Sequence, residues 1–318
     1  MKINNLLIGD CRNILPTLEA QSVQCCVTSP PYYSLRDYGV AEQIGQEDSV
    51  EEYVKNLVTV FREVKRILKD DGTLWLNLGD SYAGSGKNRN AASKNYALQV
   101  DCKDATHTGR RMGIIKQTPL SGLKPKDLIG VPWRVAFALQ QDGWYLRQDI
   151  IWHKPNVMPE SVKDRCTKSH EYIFLLSKSK NYYFNADAIR EPAVSKKGNN
   201  KTFRNGGVYT QGKSYFNSNR VKRQIHGNQV NTTGLRNKRD VWTVATIPYY
   251  GAHFATFPPK LITPCILAGS REGDIVLDPF FGSGTVAEVA ALHKRNWIGI
   301  ELNAEYEPLY KERLALFA

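Results

Sequence analysis

The chain has 318 residues, 42% of them apolar, which is enough for one large core or two modest ones and excludes a mostly disordered protein. Lysine and arginine total 43 against 31 acidic residues, and the net charge of +12 with a pI near 9.3 points to a polyanionic partner, nucleic acid first. The six cysteines include no C-x-x-C pair, which excludes a zinc knuckle and a disulfide framework and fits a reducing compartment. The opening Met1 to Ile8 has too short an apolar run for a signal peptide, and no segment approaches the roughly 20 apolar residues of a membrane span. The expected location is the cytoplasm, with no membrane partner.

Apolar runs at Leu6 to Ile8 and Val23 to Val27 read as strands, and the second leads into Ser29-Pro30-Pro31-Tyr32. From Val50 to Leu68, Tyr53, Leu57, Val60, Phe61, Val64 and Leu68 recur at helical spacing, and Asp71-Gly72 is expected to stop that helix. Further strands are predicted at Thr73 to Leu78, Leu146 to Trp152, Tyr172 to Leu176, Ile275 to Leu277 and Trp297 to Glu301, with a helix over Thr285 to Leu292. Alternation of strand and helix predicts a parallel α/β sheet.

Two stretches break the rhythm. Residues 83–122 turn to Gly, Ser, Asn and Lys, with seven basic residues against Asp101 and Asp104, and read as a basic loop insertion. Residues 193–240 hold eleven basic residues and one acid, interleaved with Phe203, Tyr209, Tyr215, Phe216 and many Asn, Gly and Gln. Basic side chains match phosphates, while Asn, Gln and Arg read base edges, so Arg204, Arg220, Lys222, Arg223, Arg236, Lys238 and Arg239 are the candidate nucleic-acid contacts.

The glycines Gly282 and Gly284 follow Asp278-Pro279-Phe280-Phe281 and permit a tight turn into the helix at Thr285, an arrangement that admits a nucleoside-bearing ligand. Nineteen residues beyond Gly282, Glu301 ends the next strand, where a carboxylate can take both ribose hydroxyls of an adenosine. Ala287 stands at the tolerant third position of a dinucleotide fingerprint, but the bulky Pro279-Phe280-Phe281 argues against a nicotinamide cofactor.

In the other loop, two prolines hold the backbone extended and leave the Pro30 carbonyl free to accept a hydrogen bond, and Ser29 supplies a second acceptor. An exocyclic amine has two N–H groups; engaging both turns its lone pair towards an electrophile, while Tyr32 offers a face to the base. The loop suits nitrogen nucleophiles.

With these two loops in this order, the chain resembles the β class of S-adenosylmethionine-dependent amino-DNA methyltransferases, in which the catalytic loop precedes the cofactor loop. Gly9-Asp10-Cys11, Gly72 to Asp80, Gly143 to Arg147, Trp152 to Asn156, Ser169 to Tyr172 and Phe257 to Leu261 also match family patterns. The resemblance implies an α/β, Rossmann-like class I methyltransferase fold, with a mostly parallel sheet, helices on both faces and a circularly permuted motif order. It implies a catalytic domain of residues 1–192 plus 241–318 and a target-recognition region at 193–240. Ser29, Pro30, Pro31 and Tyr32 would hold the base, and Asp278, Pro279, Phe280, Gly282, Gly284 and Thr285 the methionine end of S-adenosyl-L-methionine. Glu301 would hold the ribose and Asp10 the adenine amine, with Phe257 packed against it.

Ser at the first loop position points within the family to cytosine N4, with adenine N6 the alternative. The implied reaction is direct methyl transfer to the amine of a base flipped out of double-stranded DNA. A companion restriction endonuclease is an open partner reading, and the oligomeric state is open between a monomer and a homodimer. Lesser readings are an RNA or protein-glutamine methyltransferase, or a non-catalytic DNA-binding protein. Cys265, among Leu261, Ile262 and Ile266, reads as helix core rather than as the nucleophile of carbon-5 methylation, and Cys25 and Cys26 point to opposite strand faces, so no metal site is indicated. Asp80 is open to a ligand contact or a capping role. In the ordinary order of such folds the strand bearing Asp10 would come after the helix that follows Glu301, but here it begins the sequence, so Met1 and Ala318 are expected to lie close together on the same side of the sheet.

Overall fold

The computed structural model describes residues 2–35, 43–83, 123–193, 234–247 and 257–315. Arg36 and Asp37, expected to order the catalytic loop or touch the target strand, His253, open to a general-base or a packing role, most of the 83–122 insertion and the Met1–Ala318 approach lie outside those residues. Two compact units form, Met1–Asn185 with Asp240–Ala318, and Ala186–Arg239.

The larger unit is built on a sheet of eight strands: β1 (Asn5–Ile8), β2 (Val23–Thr28), β3 (Leu68–Leu78), β4 (Tyr145–His153), β5 (His170–Ser177), β8 (Val241–Thr243), β9 (Ile275–Asp278) and β10 (Asn296–Glu301). Two more, β6 (Glu191–Pro192) and β7 (Leu235–Arg236), pair in the smaller unit. The eight run in the order β1-β10-β9-β2-β3-β5-β4-β8, and only β5 is antiparallel to its neighbours. β1 pairs with β10 in register Ile8 to Glu301, which sets the strand that leads to Asp10 beside the strand that ends at Glu301. All six residues of β2 are buried, as expected for a central strand covered on both faces.

Helices α1 (Cys11–Ile14), α2 (Val50–Ile67), α3 (Val131–Gln141), α4 (Pro259–Gly269), α5 (Thr285–Leu292) and α6 (Glu307–Leu314) complete the order. α2 begins where Ser49 Oγ accepts from Glu52 N at 3.1 Å, with acids in its first turn and Lys65 and Arg66 in its last. Its predicted apolar face is buried in a core that includes Cys26, Leu74 and Leu76. Cys25 points the other way, towards Gly269 of α4, where an added Cβ would lie 2.7 Å from its sulfur. Helices therefore cover both faces.

α2 stops earlier than expected. Leu68 is already extended and pairs with Val23, and the ladder shifts before Cys25. Asp70 to Gly72 are strand residues around that irregularity, and a Cβ on Gly72 would lie 2.9 Å from the Lys69 carbonyl. Gly72 thus serves a bulge, not a helix stop. α3 was not predicted, although Pro132 after Gly130, which has φ +74°, is a start signal. No described helix is long and apolar enough to cross a membrane.

Candidate active site

β2 and β9 are parallel neighbours, with Cys25 opposite Val276 and Cys26 opposite Leu277. Their carboxyl ends open at one edge of the sheet, where ligands bind in open α/β folds. There Thr28 Oγ1 donates to Asp278 Oδ1 at 2.6 Å, joining the strand that leads into Ser29 to the strand that leads into the glycine turn.

Asp278 is 2% exposed. Its Oδ1 also accepts the Phe280 N–H at 3.1 Å, and no described residue donates to Oδ2. Burial pushes its carboxyl up to about 7, against the pull of these two donors. Glu301, nearly as buried, accepts Gly282 N at 2.8 Å on Oε2 and Asn303 N at 2.9 Å on Oε1. Burial raises its pKa too. Each oxygen keeps a lone pair for a further donor.

The turn itself is set by Gly282 at φ +54° and Gly284 at φ +82°. Phe281 stacks on Trp297 with centroids 5.4 Å apart and lies over Gly299, where a Cβ would come within 2.1 Å of its ring. Pro279 is buried, Phe280 half-buried and Thr285 buried at the start of α5. Ser283 Oγ is buried with no hydrogen-bond partner among the described residues, which leaves it able to donate to or accept from a further group. Phe257 is buried just before α4.

Asp10 already has partners within the protein. It caps α1, and its carboxylate takes Arg12 N at 2.8 Å and the Arg12 guanidinium at 2.5 to 3.0 Å. Burial works to raise its pKa, but Arg12 outweighs it and holds the carboxyl below its usual value. An adenine amine would have to share these oxygens with Arg12.

On the other side, Tyr53 Oη from α2 donates to the Pro31 carbonyl at 2.9 Å, while no described residue donates to the Pro30 carbonyl. Pro30 is buried and Ser29 half-buried. The Tyr32 ring lies against Gly79, where a Cβ would sit 2.5 Å from Cε2. Its hydroxyl donates to Glu171 Oε2 at 2.7 Å and lies 3.3 Å from Asn77 Oδ1 and 3.4 Å from Ser29 Oγ. Lys154 Nζ pairs with Glu171 Oε1. Burial, with the facing carboxylate, raises the Tyr32 hydroxyl well above its usual range, so it remains a neutral donor.

Sequence reading gave Tyr32 a stacking role and missed its hydroxyl. It named Glu171 and Lys154 only within matching segments. Asp80 is a cap: Oδ1 accepts Ser81 N at 2.9 Å and Val131 N at 3.0 Å at the start of α3. The Gly79 contact makes a prediction. Gly79→Ala must displace the Tyr32 ring, and we expect it to cost about 1–3 kcal/mol in urea unfolding and to slow turnover severalfold.

A family model described as DNA methylase matches residues 23–312, nearly all of the chain and both loops. The chain belongs to this N6/N4 DNA methylase family. The Type II methyltransferase M.SmaI of Serratia marcescens is 49% identical over 309 residues, covering 97% of this methylase and 90% of that protein. Among solved structures, PvuII DNA methyltransferase (cytosine-N4-specific) superposes with TM-score 0.61 at 18% identity, over 98% of this chain and 86% of that one. M1.HpyAVI, solved as a complex with SAM, gives TM-score 0.53 at 15% identity over 98% of each chain. These likenesses show the class I methyltransferase fold, and the methyl donor of the family is S-adenosyl-L-methionine.

In the methylase's smaller unit, β6 and β7 pair antiparallel and Ala193 N donates to Gly234 O at 2.9 Å. Glu191 Oε1 accepts Arg236 Nε at 2.8 Å and Arg239 Nε at 2.9 Å. Desolvation acts to raise the Glu191 pKa, but the two guanidinium groups hold it below its usual value. Arg236 and Arg239 thus tie the ends of the basic segment together, while Arg239, at 64% side-chain exposure, still faces solvent. Lys238 is half-buried, and Arg204, Arg220, Lys222 and Arg223 lie outside the described residues.

Proposed function

We propose that this methylase transfers a methyl group to N4 of a cytosine flipped out of a specific double-stranded DNA site, with residues 193–240 selecting the sequence. The observation that carries the reading is the Thr28–Asp278 hydrogen bond, which fixes the Ser-Pro-Pro-Tyr loop beside the glycine turn on adjacent parallel strands. Asp278 Oδ2, the Ser283 hydroxyl and the Gly282 turn suit the methionine end of the cofactor, and Glu301 suits its ribose. When bound, S-adenosyl-L-methionine supplies an electrophilic methyl on a positive sulfur. Ser29 Oγ and the Pro30 carbonyl accept the two N–H groups of the target amine and turn its lone pair outward. The Type II relatives favour a companion endonuclease.

Mass analysis of nucleosides from duplex DNA incubated with enzyme and cofactor tests the reading. N4-methylcytosine is expected. N6-methyladenine would overturn the base assignment, and an unmethylated duplex library would overturn the acceptor.

A pH prediction follows from Asp278. With its carboxyl near 7, it is largely protonated below that value in the free protein. A cationic amino group bound beside Oδ2 favours the ionised form and releases the proton. Cofactor affinity should therefore rise with pH by up to about tenfold per unit below 7 and level off above it. For the ligand-free fold the sign is opposite. The protonated carboxyl contributes stability below its unfolded value of 3.8, and that contribution is lost as pH rises through about 7. Calorimetric titration from pH 5.5 to 8 checks the affinity, and a flat profile would contradict the assigned role of Asp278.

A further inference from the structure

Serine, unlike a carboxylate, brings no negative charge to an amine that becomes cationic as it is methylated. The fold supplies a carboxylate nearby. Because β5 runs antiparallel to β3, pairing Asn77 with Ile173 and Leu78 with Tyr172, Glu171 arrives beside the end of β3. The Tyr32 hydroxyl bridges from there to the loop.

Resting on the reading above, we propose that Tyr32 and Glu171 extend Ser29 into a proton path that keeps the Ser29 oxygen an acceptor and carries away the proton released by the methylated amine. The donor directions agree: Ser29 Oγ donates to Tyr32 Oη at 3.4 Å, and Tyr32 Oη donates to Glu171 Oε2 at 2.7 Å. With its own hydrogen so directed, Ser29 presents only lone pairs to the substrate. The first link is long, as catalytic hydrogen bonds often are before substrate binds.

The supporting groups hold Glu171 for this task. Asn77 Nδ2 donates to Tyr172 O at 3.0 Å and to Glu171 Oε2 at 3.3 Å, so its orientation is fixed. Lys154 Nζ pairs with the other carboxylate oxygen and sits 4.1 Å over the Trp152 ring. The Tyr32 ring is held by Gly79. A part-buried polar chain with every member partnered is held in place, and a charge at its far end acts more strongly than it would in bulk water.

The step balances. The new N–C bond leaves the amine nitrogen cationic; one N–H bond then breaks, its electron pair staying on nitrogen. That proton goes to Ser29 Oγ as the Ser29 proton passes to Tyr32 Oη and the Tyr32 proton to Glu171 Oε2. Ser29 and Tyr32 each gain and lose one proton, and Glu171 ends as a carboxylic acid that reionises to water. Tyr32 and Glu171 act through Ser29 and are positioning residues.

The test is single-turnover methyl transfer to duplex DNA by the full chain, with affinities for S-adenosyl-L-methionine and DNA measured alongside. Tyr32→Phe keeps the ring in its seat and removes the link; Glu171→Gln keeps the shape and removes the charge. Each is expected to slow transfer by about tenfold or more while both affinities stay within about twofold. The double variant should be no more than about twofold slower than the slower single variant, because both break one path. Transfer by Tyr32→Phe within about twofold of the unaltered protein, or losses that multiply in the double variant, would overturn the path. The unaltered protein keeps the two failures apart: a methylated duplex in that lane beside an unaffected Tyr32→Phe removes the path and retains the reading, whereas no methylation in that lane overturns both.

Discussion

Ser29→Ala should lower single-turnover methyl transfer by about a hundredfold or more and leave cofactor affinity within about twofold. The size follows from what the residue does and where it sits. Ser29 is half-buried at the carboxyl end of β2, directly after the Thr28 side chain that fixes the loop. On the proposed role of the loop, alanine removes one of two acceptors for the target amine and leaves the Pro30 carbonyl alone to orient it. With one N–H unengaged, the lone pair stays conjugated with the ring. Little of this is felt by the cofactor, since Asp278, Gly282 and Glu301 keep their hydrogen bonds. Radiolabel transfer in single turnover, beside calorimetry with cofactor alone, separates the effects. A large loss of cofactor affinity with normal transfer at saturation would reverse the roles of the two loops.

Asp278 should give the opposite pattern. Asp278→Ala removes the buried carboxylate and leaves the Thr28 hydroxyl and the Phe280 N–H without their acceptor. We expect cofactor affinity to fall by about 10- to 100-fold, the range for a lost hydrogen bond to a charged group. Stability responds to two opposed changes. Two unpaired donors cost about 1–3 kcal/mol each, and removal of a carboxylate that burial already disfavours offsets part of that cost. Asp278→Asn separates charge from hydrogen bonding, because its amide oxygen can still accept from Thr28 and Phe280. That variant should unfold near the unaltered midpoint yet lose the pH dependence of cofactor binding. Calorimetry and urea unfolding on both variants check this; an Asn variant that binds cofactor with the original pH profile would remove Asp278 from the site.

The strands were legible because the central ones, covered on both faces, are continuous apolar runs: Val23 to Val27 and Ile275 to Leu277 needed no other information. The two loops were legible because their residue types have few other uses in sequence at the end of such runs. α2 was legible in its face but not in its end, since Leu68 is drawn into pairing with Val23 by the sheet, a tertiary effect that overrides the Asp71-Gly72 signal. The chain from Ser29 to Glu171 was not legible at all. Its members come from the loop after β2 and from β5, with Asn77 of β3 beside them, and only the antiparallel insertion of β5 brings Glu171 within reach of Tyr32, 139 residues away. Asp10 is the converse case. Its Arg12 partner stands only two residues on, so this local cap and ion pair can be read from the sequence without any tertiary information.

One structure tests the central claim, that the two loops form a single methyl-transfer site for a flipped cytosine. It is the complex of this chain with a non-reactive cofactor analogue and a duplex that it methylates. The account predicts a cytosine outside the helical stack, its N4 within hydrogen-bond distance of Ser29 Oγ and the Pro30 carbonyl, and the analogue held between Asp278 and Glu301. A target base that remains stacked, or an analogue bound away from Asp278 and Glu301, would contradict it.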